Sequence, residues 1–102
     1  MEISRIDCQY VEFDADATYA DGTVAVIGGV DVAALPPRRT PTADTVWSPT
    51  VFASGVATLL VAGPDADVTG ALVIPLGGAD LWARVSDSPE VTARRITRIS
   101  VF

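Results

Sequence analysis

Paired aspartates, a few hydroxyl and thiol groups, and an aromatic–arginine cluster are the side chains of this chain with the types and spacing for chemistry. Asp14-x-Asp16 and Asp21-Gly22 set carboxylates on a tight loop, which suits a hard cation such as calcium. The EF-hand template fails, because Tyr19 falls at its glycine position and Ala25 at its glutamate position. A solvated acidic loop is the simpler expectation, there and at Asp65-x-Asp67. No metal or other cofactor is expected. Ser48, Ser54, Ser86, Ser88 and Cys8 are nominal nucleophiles, yet the chain has no histidine to activate any of them. A carboxylate pair for glycoside hydrolysis would need a cleft larger than so small a domain offers. Gly28-Gly29 and Gly77-Gly78 fit no phosphate-binding loop. The chain is therefore expected not to be an enzyme and to have no small-molecule substrate.

Recognition is the better use of the remaining residues. Trp47, Trp82, Tyr10 and Tyr19 would stack on sugar rings in a carbohydrate-binding module; the plainer expectation puts Trp47 and one of the tyrosines in the core. Strand alternation sets Trp82 and Arg84 on one face, beside Arg94, Ile96 and Arg98 of the following strand. Outward, that face would show an indole among guanidinium groups, which is hot-spot chemistry at protein interfaces. Inverted to a solvated strand face, the arginine stems would merely snorkel. Trp82, Arg84, Arg94, Ile96 and Arg98 are the candidate partner interface.

The elements that hold these residues are strands. Val, Ile and Thr number 30 in the chain, whereas Leu, Glu, Gln, Met and Lys number 11. β-Branched side chains fit a pleated surface and lose rotamer freedom on a helix. The 8 glycines and 7 prolines are spread along the whole length and supply turns. A chain of 102 residues has the size of one domain, so residues 1–102 are expected to share one core. The lone Cys8 forms no internal disulfide, and its place in an apolar strand predicts a small buried hydrophobe. The charged start Met1-Glu2-Ile3-Ser4 gives no sign of a leader, and no run nears the ~20 apolar residues of a membrane span.

Net charge is −6, all seven basic residues being arginine, which argues against nucleic acid as a partner. The charge is uneven: residues 1–80 hold 3 Arg against 11 acids, and residues 81–102 hold 4 Arg against 2 acids. An acidic body with a basic final hairpin favours self-association or an acidic partner.

Periodicity and turn signals predict about seven strands. They fall over residues 3–13, 30–35 (after a short apolar run at 24–27 and a Gly28-Gly29 break), 47–52, 56–62, 72–76, 81–85 and 94–102. In the first, Ile6, Cys8 and Tyr10 alternate with polar residues, while Val11 and Phe13 fall on the other phase, a conflict that a bulge or two-sided burial would explain. Residues 36–45 are predicted as an exposed crossover between sheets. Residues 56–62 read as a central strand, and Pro75 sends its strand to an edge. Strands at this spacing predict an all-β fold, a two-sheet antiparallel sandwich of the immunoglobulin-like or fibronectin-III-like kind. A small closed barrel is the alternative.

The run Asp80-Leu81-Trp82-Ala83-Arg84-Val85-Ser86-Asp87-Ser88-Pro89-Glu90-Val91, followed by Arg94-Arg95-Ile96-Thr97-Arg98-Ile99, resembles the C-terminal hairpin of small β-sandwich virion structural proteins of tailed actinobacteriophages. The likeness extends loosely over residues 24–102. It implies a non-enzymatic phage virion structural protein with an immunoglobulin-like fold, assembled in the bacterial host cytoplasm. Its implied role is a capsid-associated decoration or minor capsid protein, docked on repeated copies of the major capsid protein. A head–tail connector or tail-associated subunit is the alternative within that class, and a carbohydrate-binding or adhesion module the alternative outside it.

Overall fold

The computed structural model describes residues 1–14, 27–87 and 90–102. The described residues form nine β-strands and no helix: β1 (Glu2–Ile3), β2 (Cys8–Asp14), β3 (Ile27–Leu35), β4 (Ser48–Pro49), β5 (Val51–Ala53), β6 (Val56–Ala62), β7 (Leu72–Val73), β8 (Ala79–Asp87) and β9 (Glu90–Val101). They make two sheets. One has the order β1-β9-β8-β3-β4; the other has the order β2-β6-β5, with β7 also paired to β6.

Nine strands replace the expected seven because two predicted strands each divide where the chain passes between sheets. Residues 3–13 split at the Ser4–Asp7 turn, where Asp7 N–H donates to Ser4 C=O at 3.0 Å, so β1 lies in one sheet and β2 in the other. This turn settles the phase conflict along the segment. Val11 faces the core, Phe13 packs against it, and Ile6, Cys8 and Tyr10 are exposed. The expectation of a buried Cys8 is thereby corrected: residues 8 and 10 alternate onto the outer face. Residues 47–52 split in the same way at Thr50, whose hydroxyl donates to Val30 C=O at 2.8 Å. The passage between sheets is therefore at Thr50, not over residues 36–45, which link two neighbours of one sheet, β3 and β4. Pairing is also not wholly antiparallel, since β1 runs parallel to β9 and β7 parallel to β6.

The remaining boundaries follow local chemistry. Pro36-Pro37 ends β3, because proline donates nothing to a ladder. Gly28 does not break β3; the register against β8 shifts between Ile27 and Gly29 instead. The strand predicted over residues 72–76 is shorter than expected. β7 stops at Val73, Ile74 turns fully inward, and Leu76 is exposed. Pro75 thus lies just past an edge strand. Residues 15–26, 88 and 89 hold the predicted acidic loop, the 24–27 run and the hairpin tip, and these lie outside the described residues except for their flanks.

Between the sheets, Val32, Leu81 and Ile99 from one side meet Val61 and Ile74 from the other, all fully buried. The core is aliphatic, and Phe13 and Phe52 only border it. Gly63 and Gly78 mark two close approaches. A Cβ on Gly63 would overlap the backbone of Arg5 in the β1–β2 turn, and a Cβ on Gly78, whose φ is +103°, would overlap Ile99 C=O. The β5–β6 hairpin turns through Ser54 and Gly55, both at positive φ (53° and 79°), as a type I′ turn requires.

Two stability changes follow, both measurable by thermal denaturation followed by circular dichroism. Gly63→Ala should destabilise the fold by about 1–3 kcal/mol, since neither backbone segment can yield cheaply. Ser54→Asn should stabilise it by about 0.5 kcal/mol, asparagine being far more at ease at positive φ in this turn.

Candidate functional site

The outer face of the β3-β8-β9 sheet carries the aromatic and arginine residues, but not in the grouping that simple alternation predicts. Residues paired across an antiparallel ladder share a face. Trp82 and Arg84 are paired with Ala33 and Asp31 on β3, and with Arg95 and Ala93 on β9. Further along, Asp80 is paired with Arg98. Between these stretches the register shifts: Leu81 pairs with Thr97, whereas Trp82 pairs with Arg95, so Ile96 is an extra residue on β9. This β-bulge reverses the phase of β9. Arg94 and Ile96 accordingly leave the predicted face. Ile96 packs against the core. The Arg94 guanidinium donates to Asp14 C=O of β2, in the other sheet, at 2.7 Å. Arg95 takes the outward place that alternation had denied it.

The face therefore consists of Trp82, Arg84, Arg95 and Arg98 with Asp31, Asp80 and Trp47. Arg84 donates to the Asp31 carboxylate at 2.8 Å, and its guanidinium lies over the Trp47 ring, 4.9 Å from the centroid. Arginine stacks on an indole while keeping its in-plane donors free for a carboxylate. Trp47 is thus half-buried beneath Arg84 rather than in the core, and Tyr10 is 69% exposed. Tyr19 lies outside the described residues. Two donors on this face, Trp82 Nε1 and Arg84 Nε, are buried with no hydrogen-bond partner.

Asp80 is the buried acid of the face, with 2% of its surface exposed. Arg98 Nε donates to one carboxylate oxygen at 2.9 Å, and Arg95 lies 3.9 Å from the other. The backbone amide of Arg38 lies near enough to favour its charged form. Arg38 has a φ of 67°, a conformation that arginine rarely adopts, in the turn closed by Arg39 N–H to Pro36 C=O. The Arg98 hydrogen bond, supported by the charges of both arginines and the Arg38 amide, holds the Asp80 carboxyl below its ordinary value against the opposing effect of burial. Arg95 and Arg98 keep half or more of their side chains in solvent.

Arg95, Asp80 and Asp31 are the site residues that sequence reasoning missed, and Trp47 is one that it expected in the core. Asp31 had a signal, since it alternates with buried Val30 and Val32 and so must point outward. The bulge had none, because an extra residue leaves no mark in a run of mixed polarity.

Opposite this face, the outer surface of the β2-β6-β5 sheet carries an apolar patch. Tyr10 faces Leu60 across the ladder, Val51 lies beside Thr58, and Val73 lies beside Ala62. A groove of about 630 Å³ opens there, between β4 and the β5–β7 edge, lined by Tyr10, Ser48, Val51, Leu60, Leu72 and Val73 among others. Among the described residues no three His, Cys, Asp or Glu side chains come together as a metal site. Asp16 and Asp21 of the calcium reading lie outside those residues. No described helix is long and apolar enough to cross a membrane.

Because the Asp80 carboxyl is held below its usual 3.8, its contribution to stability is present above about pH 4 and fades as the pH falls through the lowered value. Asp80→Asn should therefore melt below the wild type at neutral pH by a margin that stays constant down to about pH 4 and then narrows towards pH 2. Melting curves across that range would refute the assignment if the margin did not change.

Comparison with known proteins gives no relative: no family model matches the chain, no curated protein matches it, and no solved structure matches its fold.

Proposed function

We propose that the chain is a non-enzymatic, immunoglobulin-like β-sandwich whose work is docking to other proteins, and that it is a structural component of a tailed-phage virion. With β2 to β6 written as B, C, C′, D and E, and β8 and β9 as F and G, one sheet reads B-E-D with β7 also beside E, and the other reads C′-C-F-G with β1 added beyond G. That is the strand order of an immunoglobulin-type sandwich, here without a disulfide or a buried tryptophan to pin the sheets. The observation that carries the docking role is the β3-β8-β9 outer face, where two tryptophans sit among three arginines and two of those arginines keep half or more of their side chains in solvent. This is recognition chemistry.

The virion role rests on the likeness of residues 80–99 to phage β-sandwich hairpins. On this reading the chain is capsid-associated, Trp82, Arg84, Arg95 and Arg98 facing an acidic patch repeated on the major capsid protein. Modest affinity per copy suffices on a repeating lattice. A head–tail connector is the second reading, favoured by the opposite chemistry of the two sheet faces, because a ring needs two unlike surfaces on each subunit.

Purified virions of the phage that encodes this chain should contain it in a copy number that matches the coat lattice, and Arg95→Glu should lower its occupancy on heads by about tenfold. Mass spectrometry of particles in which the chain was absent would end the virion reading; full occupancy by Arg95→Glu would remove the basic face from it.

A further inference from the structure

The two outer faces of the sandwich differ in a way that makes each a fit for the other. On the β2-β6-β5 sheet, Tyr10 is 69% exposed, Val51 73% and Val73 54%, with Leu60 half-buried among them. Together they form an apolar patch on the order of 400 Å², the size of the largest patch on many monomers and often a functional one. The acids on this face are Glu12, which is paired with Thr58 beside the patch, and Asp14 at the end of β2, both exposed. No described arginine originates on these strands. The β3-β8-β9 face is the reverse. Asp80 is shared between Arg98 at 2.9 Å and Arg95 at 3.9 Å, so one carboxylate serves two guanidinium groups and positive charge is left over. Arg38 and Arg39, exposed on the turn after β3, add to it, and Trp47 and Trp82 give the same face an aromatic floor.

We propose that a second copy of this chain covers the apolar face: the β2-β6-β5 face of one molecule stacks on the β3-β8-β9 face of the next. Tyr10, Val51 and Val73 then lie against the tryptophans and arginine stems, and Glu12 meets the surplus guanidinium charge. The partner is a second copy because the other sheet of this same chain supplies the basic and aromatic surface that an apolar, acid-rimmed face calls for. The contact is heterologous, joining two different surfaces, so each molecule keeps one free face and the assembly propagates into a chain or closes into a ring. The apolar patch is about half the ~800 Å² that each partner buries in a standard interface, so the charged rim carries much of the contact and association is salt-sensitive. The inference stands on the two faces alone; it uses the same basic face as docking on a coat subunit, so within one molecule the two contacts exclude each other, and self-association of the isolated chain tests this one by itself.

Heterologous contact has a signature that no other mode shares. Tyr10→Glu blocks one face and Arg95→Glu the other, so each variant alone should remain monomeric. An equimolar mixture should form dimers and stop there, because each variant retains one intact face. Sedimentation velocity from about 10 µM to 1 mM reads all three samples beside the wild type, whose average mass should rise past the dimer. Each block should weaken self-association by about thirtyfold. Val51→Asp replaces Tyr10→Glu, and Arg95→Ala replaces Arg95→Glu, if a melting curve shows either first choice to be unfolded. A wild type that stays monomeric throughout would overturn the proposal, as would a Tyr10→Glu variant that associates like the wild type. A mixture without dimers, or wild-type association that stops at a dimer, would also overturn it.

Discussion

Val32, Leu81, Ile99, Val61 and Ile74 are packed between the two sheets out of reach of water, and the register of the long strands serves to keep them there. A strand shifted by one residue would turn its whole apolar set outward. Among the described residues the core has no aromatic centre, and the lone cysteine forms no internal disulfide, so the fit of medium-sized aliphatic side chains enforces alignment there. Where the sequence does not keep strict alternation, the backbone adjusts. Ile96 is bulged so that it and Ile99 both reach the interior, and the chain turns at residues 4–7 so that Ile3 and Val11 can face the core from different sheets.

Those adjustments decide what the surface offers. The bulge removes Arg94 from the outer face and sends it across to Asp14, and it brings Arg95 beside Asp80. Asp80 then ties β8 to β9, accepting from Arg98 with Arg95 close to its other oxygen. A buried carboxylate is tolerated only with such partners. The same links hold the aromatic–arginine face in a fixed form, with Arg84 pinned between Asp31 and the Trp47 ring. A face whose side chains are already ordered loses less entropy when it meets a partner.

Much of the architecture was legible in the residues. The abundance of Val, Ile and Thr and the spread of Gly and Pro called for strands and turns, and the segments 30–35, 56–62 and 81–85 lie in β3, β6 and β8. The central position of β6 followed from its continuous apolar run, because a strand flanked on both edges is shielded even on its outer face, where its residues are half-buried. The strand count was less legible. A passage between sheets within one extended segment leaves the apolar pattern almost intact, so residues 3–13 and 47–52 each read as one strand where the structure has two.

By itself the sequence determined the all-β class, the absence of histidine-based chemistry and the face shared by Trp82 and Arg84, because composition and two-residue alternation are local properties. The tertiary structure alone decided that Arg95 rather than Arg94 joins that face, that Asp80 is buried beneath two arginines, and that Tyr10 and Cys8 point to solvent. Each of these depends on which strand lies alongside which, and in what register. Register is fixed by the fit of distant side chains in the core, and no stretch of a single strand records it.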